Sequence, residues 1–91
     1  MKVFEAIRQM RELSKQDKSF SFSFMSYSHT KQLSDGIVTV SSALLRRRPA
    51  DNKHNRYEPL MENYYDTNLG EYRRFWQVLL ISFNGQKTEL L

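Results

Sequence analysis

The spacing of apolar residues changes near position 19, and the change separates a helix from a series of strands. Between residues 2 and 14, Val3, Ile7, Met10 and Leu13 recur at steps of three and four, with Ala6 on the same side. That spacing lines one face of an α-helix. Lys2, Glu5, Arg8, Arg11 and Glu12 fill much of the polar remainder. Glu5 with Arg8 and Arg8 with Glu12 stand one helical turn apart, where opposite charges support a helix. No good N-cap residue precedes the segment, so its first turn is expected to fray. The polar run from Ser14 to Lys18 ends it.

Alternation then takes over. Ser19-Phe20-Ser21-Phe22-Ser23-Phe24 places three phenylalanines on one face of a strand expected over 19–28. Met25 and Tyr27 fall on the other parity, which a bulge near Phe24–Met25 would reconcile. Residues 29–36 are expected to form a loop ending in the turn pair Asp35-Gly36. A second strand over 37–46 begins with the β-branched run Ile37-Val38-Thr39-Val40, and Val38, Val40 and Leu44 share one parity. Arg46-Arg47-Arg48-Pro49 ends it, because proline cannot donate to a ladder. Residues 49–56 carry no apolar side chain larger than Ala50 and read as a mobile loop.

A third strand is expected over 57–66, with Leu60, Glu62 and Tyr64 on one parity and Met61, Asn63 and Tyr65 on the other. Thr67-Asn68-Leu69-Gly70 turns the chain into a fourth strand over 71–78, where Tyr72, Arg74, Trp76 and Val78 oppose Arg73, Phe75 and Gln77. Residues 79–83 suit either a strand or one helical turn, since five residues do not resolve the period. Asn84-Gly85 is the strongest short hairpin signal in the chain, and a closing strand over 86–90 follows. The expected fold is α+β: an N-terminal helix, then about five short antiparallel strands in an SH3-like small barrel or a strongly bent sheet.

Composition bounds this picture without naming a chemistry. At 91 residues the chain is expected to be a single domain, 1–91, with one small core and no room for a doubly wound cofactor fold. It contains no cysteine, which excludes disulfides and thiolate metal sites. The longest purely apolar run, Val78-Leu79-Leu80-Ile81, is far short of the roughly 18 residues of a membrane helix. The start, Met1-Lys2-Val3-Phe4-Glu5, lacks a signal-peptide apolar region. A cytoplasmic location is expected, with no membrane partner.

The C-terminal third, Tyr65-Asp66 … Gly70-Glu71-Tyr72-Arg73-Arg74-Phe75 … Leu80 … Phe83-Asn84-Gly85-Gln86-Lys87, resembles small uncharacterised proteins encoded by phages and mobile elements of gut anaerobes. The resemblance rests on a turn-strand-turn scaffold. It implies a phage or mobile-element origin, with a virion as the alternative location, and it carries over no catalytic residue.

No catalytic constellation stands out. His29 and His54 lie in separate loops, as do Asp35 and Asp51, and no serine sits in a nucleophile motif. Gly36, Gly70 and Gly85 belong to three different turns, so no phosphate loop exists. Two isolated histidines do not make a metal site. We expect neither an enzyme nor a bound cofactor or metal.

Two features point toward partners. The first is basic: Arg46, Arg47, Arg48, Lys53, His54 and Arg56, with Arg73 and Arg74 on a neighbouring strand, interleaved with Tyr57, Tyr72, Phe75 and Trp76. Arginine forks suit phosphates and exposed rings stack bases. The same residues could instead guard a strand edge while the rings build the core. The net charge of +4 is mild, and Glu58, Glu62, Asp66 and Glu71 dilute the positive field. The second feature is a surplus of interface-type side chains on both parities, namely Met25, Met61, Tyr64, Tyr65, Tyr72, Phe75 and Trp76. The expected function is a non-enzymatic interaction or assembly protein that pairs with itself or with a protein partner through a sheet face or edge. The alternative is a small basic nucleic-acid-binding barrel that uses the 46–56 arginine loop. The candidate interaction surface is Arg46, Arg47, Arg48, Lys53, Arg56, Arg73, Arg74, Tyr65 and Trp76.

Overall fold

The expected helix forms as α1, Val3–Lys15. Its start is tied to the C-terminal segment. Lys2 offers no side-chain cap, but the Val3 amide donates to the Glu89 carbonyl at 2.8 Å and the Glu89 amide donates to the Met1 carbonyl at 2.9 Å. A parallel bridge between Lys2 and Glu89 thus satisfies backbone groups that a cap would otherwise serve. The other end closes on Asp17, whose φ of 56° is left-handed. Lys18 N–H reaches the Leu13 carbonyl at 2.9 Å and Asp17 N–H the Ser14 carbonyl at 3.1 Å, a Schellman ending without its usual glycine.

The computed structural model describes residues 1–28, 33–46 and 60–90. Six strands follow the helix: β1 Phe20–Ser28, β2 Leu33–Leu44, β3 Met61–Asp66, β4 Glu71–Trp76, β5 Leu80–Phe83 and β6 Gln86–Lys87. They form one antiparallel sheet in the order β4-β3-β2-β1-β5-β6. The sheet is strongly bent and remains open, with β4 and β6 at its two ends, so the closed-barrel form of the expectation is not what the strands build.

The bend follows from where the rings meet. Phe22 of β1 lies with its ring centroid 5.0 Å from that of Tyr64 and 5.0 Å from that of Phe75. Phe24 lies 5.4 Å from Phe75. β2 and β3 separate β1 from β4 in the sheet, so these contacts require it to curl across its concave face. Val3, Ala6, Ile7 and Met10 of α1 bury against the same cluster, with Phe20, Val40, Ala43, Leu80 and Phe83.

Several element boundaries differ from expectation, each for a local reason. β1 contains no bulge at Phe24–Met25, since Phe24 pairs with Val38 and Met25 with Ile37 without interruption. The extra residues lie in its partners. Phe20 and Phe22 face Ala43 and Val40, so β2 carries one residue more and its inward parity shifts. Ala43 is therefore buried, and Leu44, which by simple alternation would share the face of Val38 and Val40, instead lies opposite Tyr65. β2 begins at Leu33, so residues 33–36, expected as loop, belong to a strand. Gly36, at φ 93°, pairs with Ser26 where the register slips, so the expected turn pair serves as a strand irregularity.

β2 stops at Leu44 because the next amide turns away: Leu45 N–H donates to Ser14 Oγ at 2.8 Å. β3 begins at Met61, and the expected positions 57–59 lie outside the described residues. β4 ends at Trp76, and Gln77–Leu79 make one 3-10 turn before β5. The ambiguous 79–83 segment is thus turn at its first residue and strand afterwards. Asn84 and Gly85 have φ values of 48° and 83°, the two positive angles a type I′ turn needs. The closing strand is only β6, Gln86–Lys87, after which Thr88 turns inward and donates to the Leu80 carbonyl at 2.9 Å.

Candidate interaction surface

The two ends of the sheet are finished differently. Just past β6, residues 1–3 lie alongside Glu89 and take up its amide and carbonyl, and the Met1 amino group donates to the Lys87 carbonyl at 3.2 Å. Beyond β4, no strand follows among the described residues. An unpaired edge is a row of free N–H and C=O groups ready for another strand. The turn leading into β4 is well built. Asp66 is buried, and its Oδ1 accepts from the amides of Asn68 at 3.0 Å and Leu69 at 3.1 Å. Gly70, at φ 67°, completes the turn by donating to the Asp66 carbonyl at 2.8 Å.

Register sorts the side chains of β4. Arg73 lies opposite Tyr64 and Phe75 opposite Glu62, so Glu71, Arg73 and Phe75 share the concave face. Phe75 is buried, while Glu71 and Arg73 stand exposed at the rim. The Arg73 guanidinium forks onto one oxygen of Glu71, with Nε at 3.0 Å and Nη2 at 2.7 Å. Its pKa is raised above the ordinary arginine value by that carboxylate. Tyr72, Arg74 and Trp76 face the convex side, opposite Tyr65, Asn63 and Met61. The Tyr65 and Tyr72 rings stand with centroids 4.8 Å apart. Arg74 is exposed and takes part in no ion pair or side-chain hydrogen bond among the described residues.

The expected surface therefore divides. Tyr65, Arg74 and Trp76 share the convex face of β3 and β4, together with Tyr72, while Arg73 lies at the rim of the other face. Arg46 is engaged elsewhere. Its guanidinium donates to the carbonyls of Leu45 and Ser14, both at 2.9 Å, and to Asp17 Oδ1 at 2.5 Å. It ties the end of β2 to the end of α1, where a cation also meets the negative end of the helix dipole. Arg47, Arg48, Lys53 and Arg56 lie outside the described residues, as does the rest of the 46–56 loop beyond Arg46.

Below Trp76 the 3-10 turn opens a shallow hollow lined by Tyr27, Trp76, Val78 and Leu79. Among the described residues its lining is apolar, without the converging polar groups that orient a small-molecule ligand. Among the described residues no group of three or more His, Asp or Glu stands ready to hold a metal ion, and no helix is long and apolar enough to cross a membrane. Tyr72 and Glu71 are the members of this surface that the sequence-based selection left out. The alternation through β4 was the available signal: it places Tyr72 on the face of Arg74 and Trp76, and Glu71 beside Arg73.

No protein-family model matches the chain, and no curated protein or solved structure matches it either.

Proposed function

We propose that the chain is a non-enzymatic interaction or assembly protein that associates through the β4 edge and the convex face beside it. The observation that carries this reading is the asymmetry of the sheet: at one end the chain's own residues 1–3 lie beside the segment that follows β6, and at the other no strand flanks β4 among the described residues. Tyr65, Tyr72 and Trp76 flank that edge, and rings of this type are enriched at protein interfaces. The curl that brings Phe75 onto Phe24 supports viewing the domain as an SH3-like small barrel left open at β4. The resemblance of the C-terminal third to phage and mobile-element proteins suits a small assembly component.

A second reading, nucleic-acid binding, is favoured by one observation: Arg74 has no acidic partner among the described residues and shares its face with Tyr65, Tyr72 and Trp76. It is weakened by Arg46, whose guanidinium is already committed to the helix end. Sedimentation of the purified chain over a wide concentration range, with titration of labelled DNA and RNA at two salt concentrations, separates the readings. The interaction reading expects mass above that of a monomer and weak nucleic-acid binding. A monomer that binds DNA or RNA at micromolar concentration or tighter, with a steep salt dependence, overturns it.

A further inference from the structure

We propose that the occupant of the β4 edge is a second copy of this chain, paired antiparallel about a two-fold axis through Tyr72. The proposal rests on the reading of β4 as the association edge and adds the partner and the register.

The first argument is the number of open edges. Head-to-tail addition needs two different free edges, and repetition of it gives rings or filaments. Here the chain leaving β6 is flanked by residues 1–3, through the Val3 and Glu89 backbone bonds and the Met1 amino group on the Lys87 carbonyl, whereas Glu71–Phe75 of β4 have no flanking strand among the described residues. A single open edge pairs with its own copy and stops at two. In the register argued next, the product is a sheet running from β6 of one copy to β6 of the other, joined at the seam by Glu71, Tyr72 and Arg73 of each β4, with Arg74–Trp76 of each copy lying beside the turn residues 68–70 of the other.

The second argument is charge. A two-fold axis normal to the sheet keeps the concave faces on one side, so each residue meets one of equal parity. Centring on Tyr72 places Glu71 of each copy opposite Arg73 of the other. The two residues already attract within one chain, where Arg73 Nη2 lies 2.7 Å from Glu71. Sliding the centre to Glu71, Arg73 or Arg74 sets that residue against its own copy, like charge to like, which destabilises a cross-strand pair. On the convex face, the Tyr72-centred register sets Tyr72 against Tyr72 of the second copy. The row then runs Tyr65, Tyr72, Tyr72, Tyr65, extending the ring pair already formed at 4.8 Å.

The chain contains no cysteine, which makes the register directly readable. Opposed residues in an antiparallel pair have Cα atoms about 4.5–5.5 Å apart, within disulfide range. Tyr72→Cys should therefore oxidise to a reducible dimer. Arg74→Cys should not, because its two copies would stand about 13 Å apart along the strands. Glu71→Arg and Arg73→Glu should each weaken dimerisation in sedimentation by about tenfold, and the double swap should restore it. Circular dichroism melts identify any variant that fails to fold, and the cross-linking pair then stands as an independent readout. A dimer in which Tyr72→Cys does not cross-link, or Arg74→Cys does so equally, overturns the register and leaves self-association intact. A monomer at every concentration overturns the second copy as occupant. Tight, salt-dependent nucleic-acid binding by that monomer overturns the underlying interaction reading as well.

Discussion

Phe22 and Phe75 pack with ring centroids 5.0 Å apart, although two strands separate them in the sheet. The contact is a direct measure of the bend, and it joins β1 to the terminal strand β4. It belongs to a cluster in which Phe22 also meets Phe20, Phe24 and Tyr64.

Phe22→Ala should cost about 3–5 kcal/mol, because a ring at the centre of such a cluster leaves a cavity its neighbours cannot fill. A small domain has only about 5–15 kcal/mol to lose. The thermal midpoint of the variant should fall sharply, and loss of near-ultraviolet dichroism should accompany it. An unchanged midpoint would show that the aromatic cluster does not hold the bend.

Tyr64 is fully buried, and its hydroxyl has no hydrogen-bond partner among the described residues. Tyr64→Phe should leave stability unchanged or raise it by about 1 kcal/mol, since it removes an unsatisfied buried polar atom. The effect depends on pH. Burial pushes the phenol up to about 12; Arg73 opposes the rise, while Asp66 and Glu71 add to it. The unfolded phenol ionises near 10. A folded pKa above the unfolded one means stability is complete below pH 10 and is lost as pH climbs toward 12. Urea melts across that window should show wild type declining more steeply than Tyr64→Phe.

Arg46→Ser should destabilise the fold by about 1–2 kcal/mol, because it strips donors from the Leu45 and Ser14 carbonyls and from Asp17. Arg74→Ser should stay within about 0.5 kcal/mol, as exposed substitutions do. Denaturant midpoints of the two variants check the difference. Equal midpoints would mean that Arg46 does not fasten β2 to α1.

Gly85→Val should cost about 1–2 kcal/mol, with Gln86→Val near neutral, because Gly85 holds φ 83°. Apart from its two chain neighbours, no described residue places an atom within 4 Å of the position a Cβ would take at Gly85, so the penalty comes from the backbone angle. Gly85→Asn, a residue that tolerates the left-handed region, should recover part of the loss in the same melt.

The parts of this fold that were readable in advance are those governed by a local period. Val3, Ala6, Ile7 and Met10 form the buried face of α1 as their spacing implies, and Phe20, Phe22 and Phe24 lie inward from β1. Asn84-Gly85 adopts the angles of its turn type. The candidate surface was readable only in part. Alternation correctly groups Tyr65, Arg74 and Trp76 by face, once the turn at 67–70 sets β3 against β4. It does not reveal that Arg46 is occupied, because its partners Ser14 and Asp17 lie far back along the chain.

Residue period is set by backbone sterics and by the need to bury one side of each segment, so the sequence by itself determined the helix, the inward phase of β1, the alternation of β4 and the final hairpin. Tertiary structure decided what depends on register between distant segments. An extra residue in β2 put Ala43 inside and Leu44 opposite Tyr65. Residues 1–3 flanked the segment after β6 by meeting Glu89, and the Phe22–Phe75 contact bent the sheet. These outcomes rest on pairings across tens of residues, where packing of the whole core selects one alignment among several that satisfy the same local pattern.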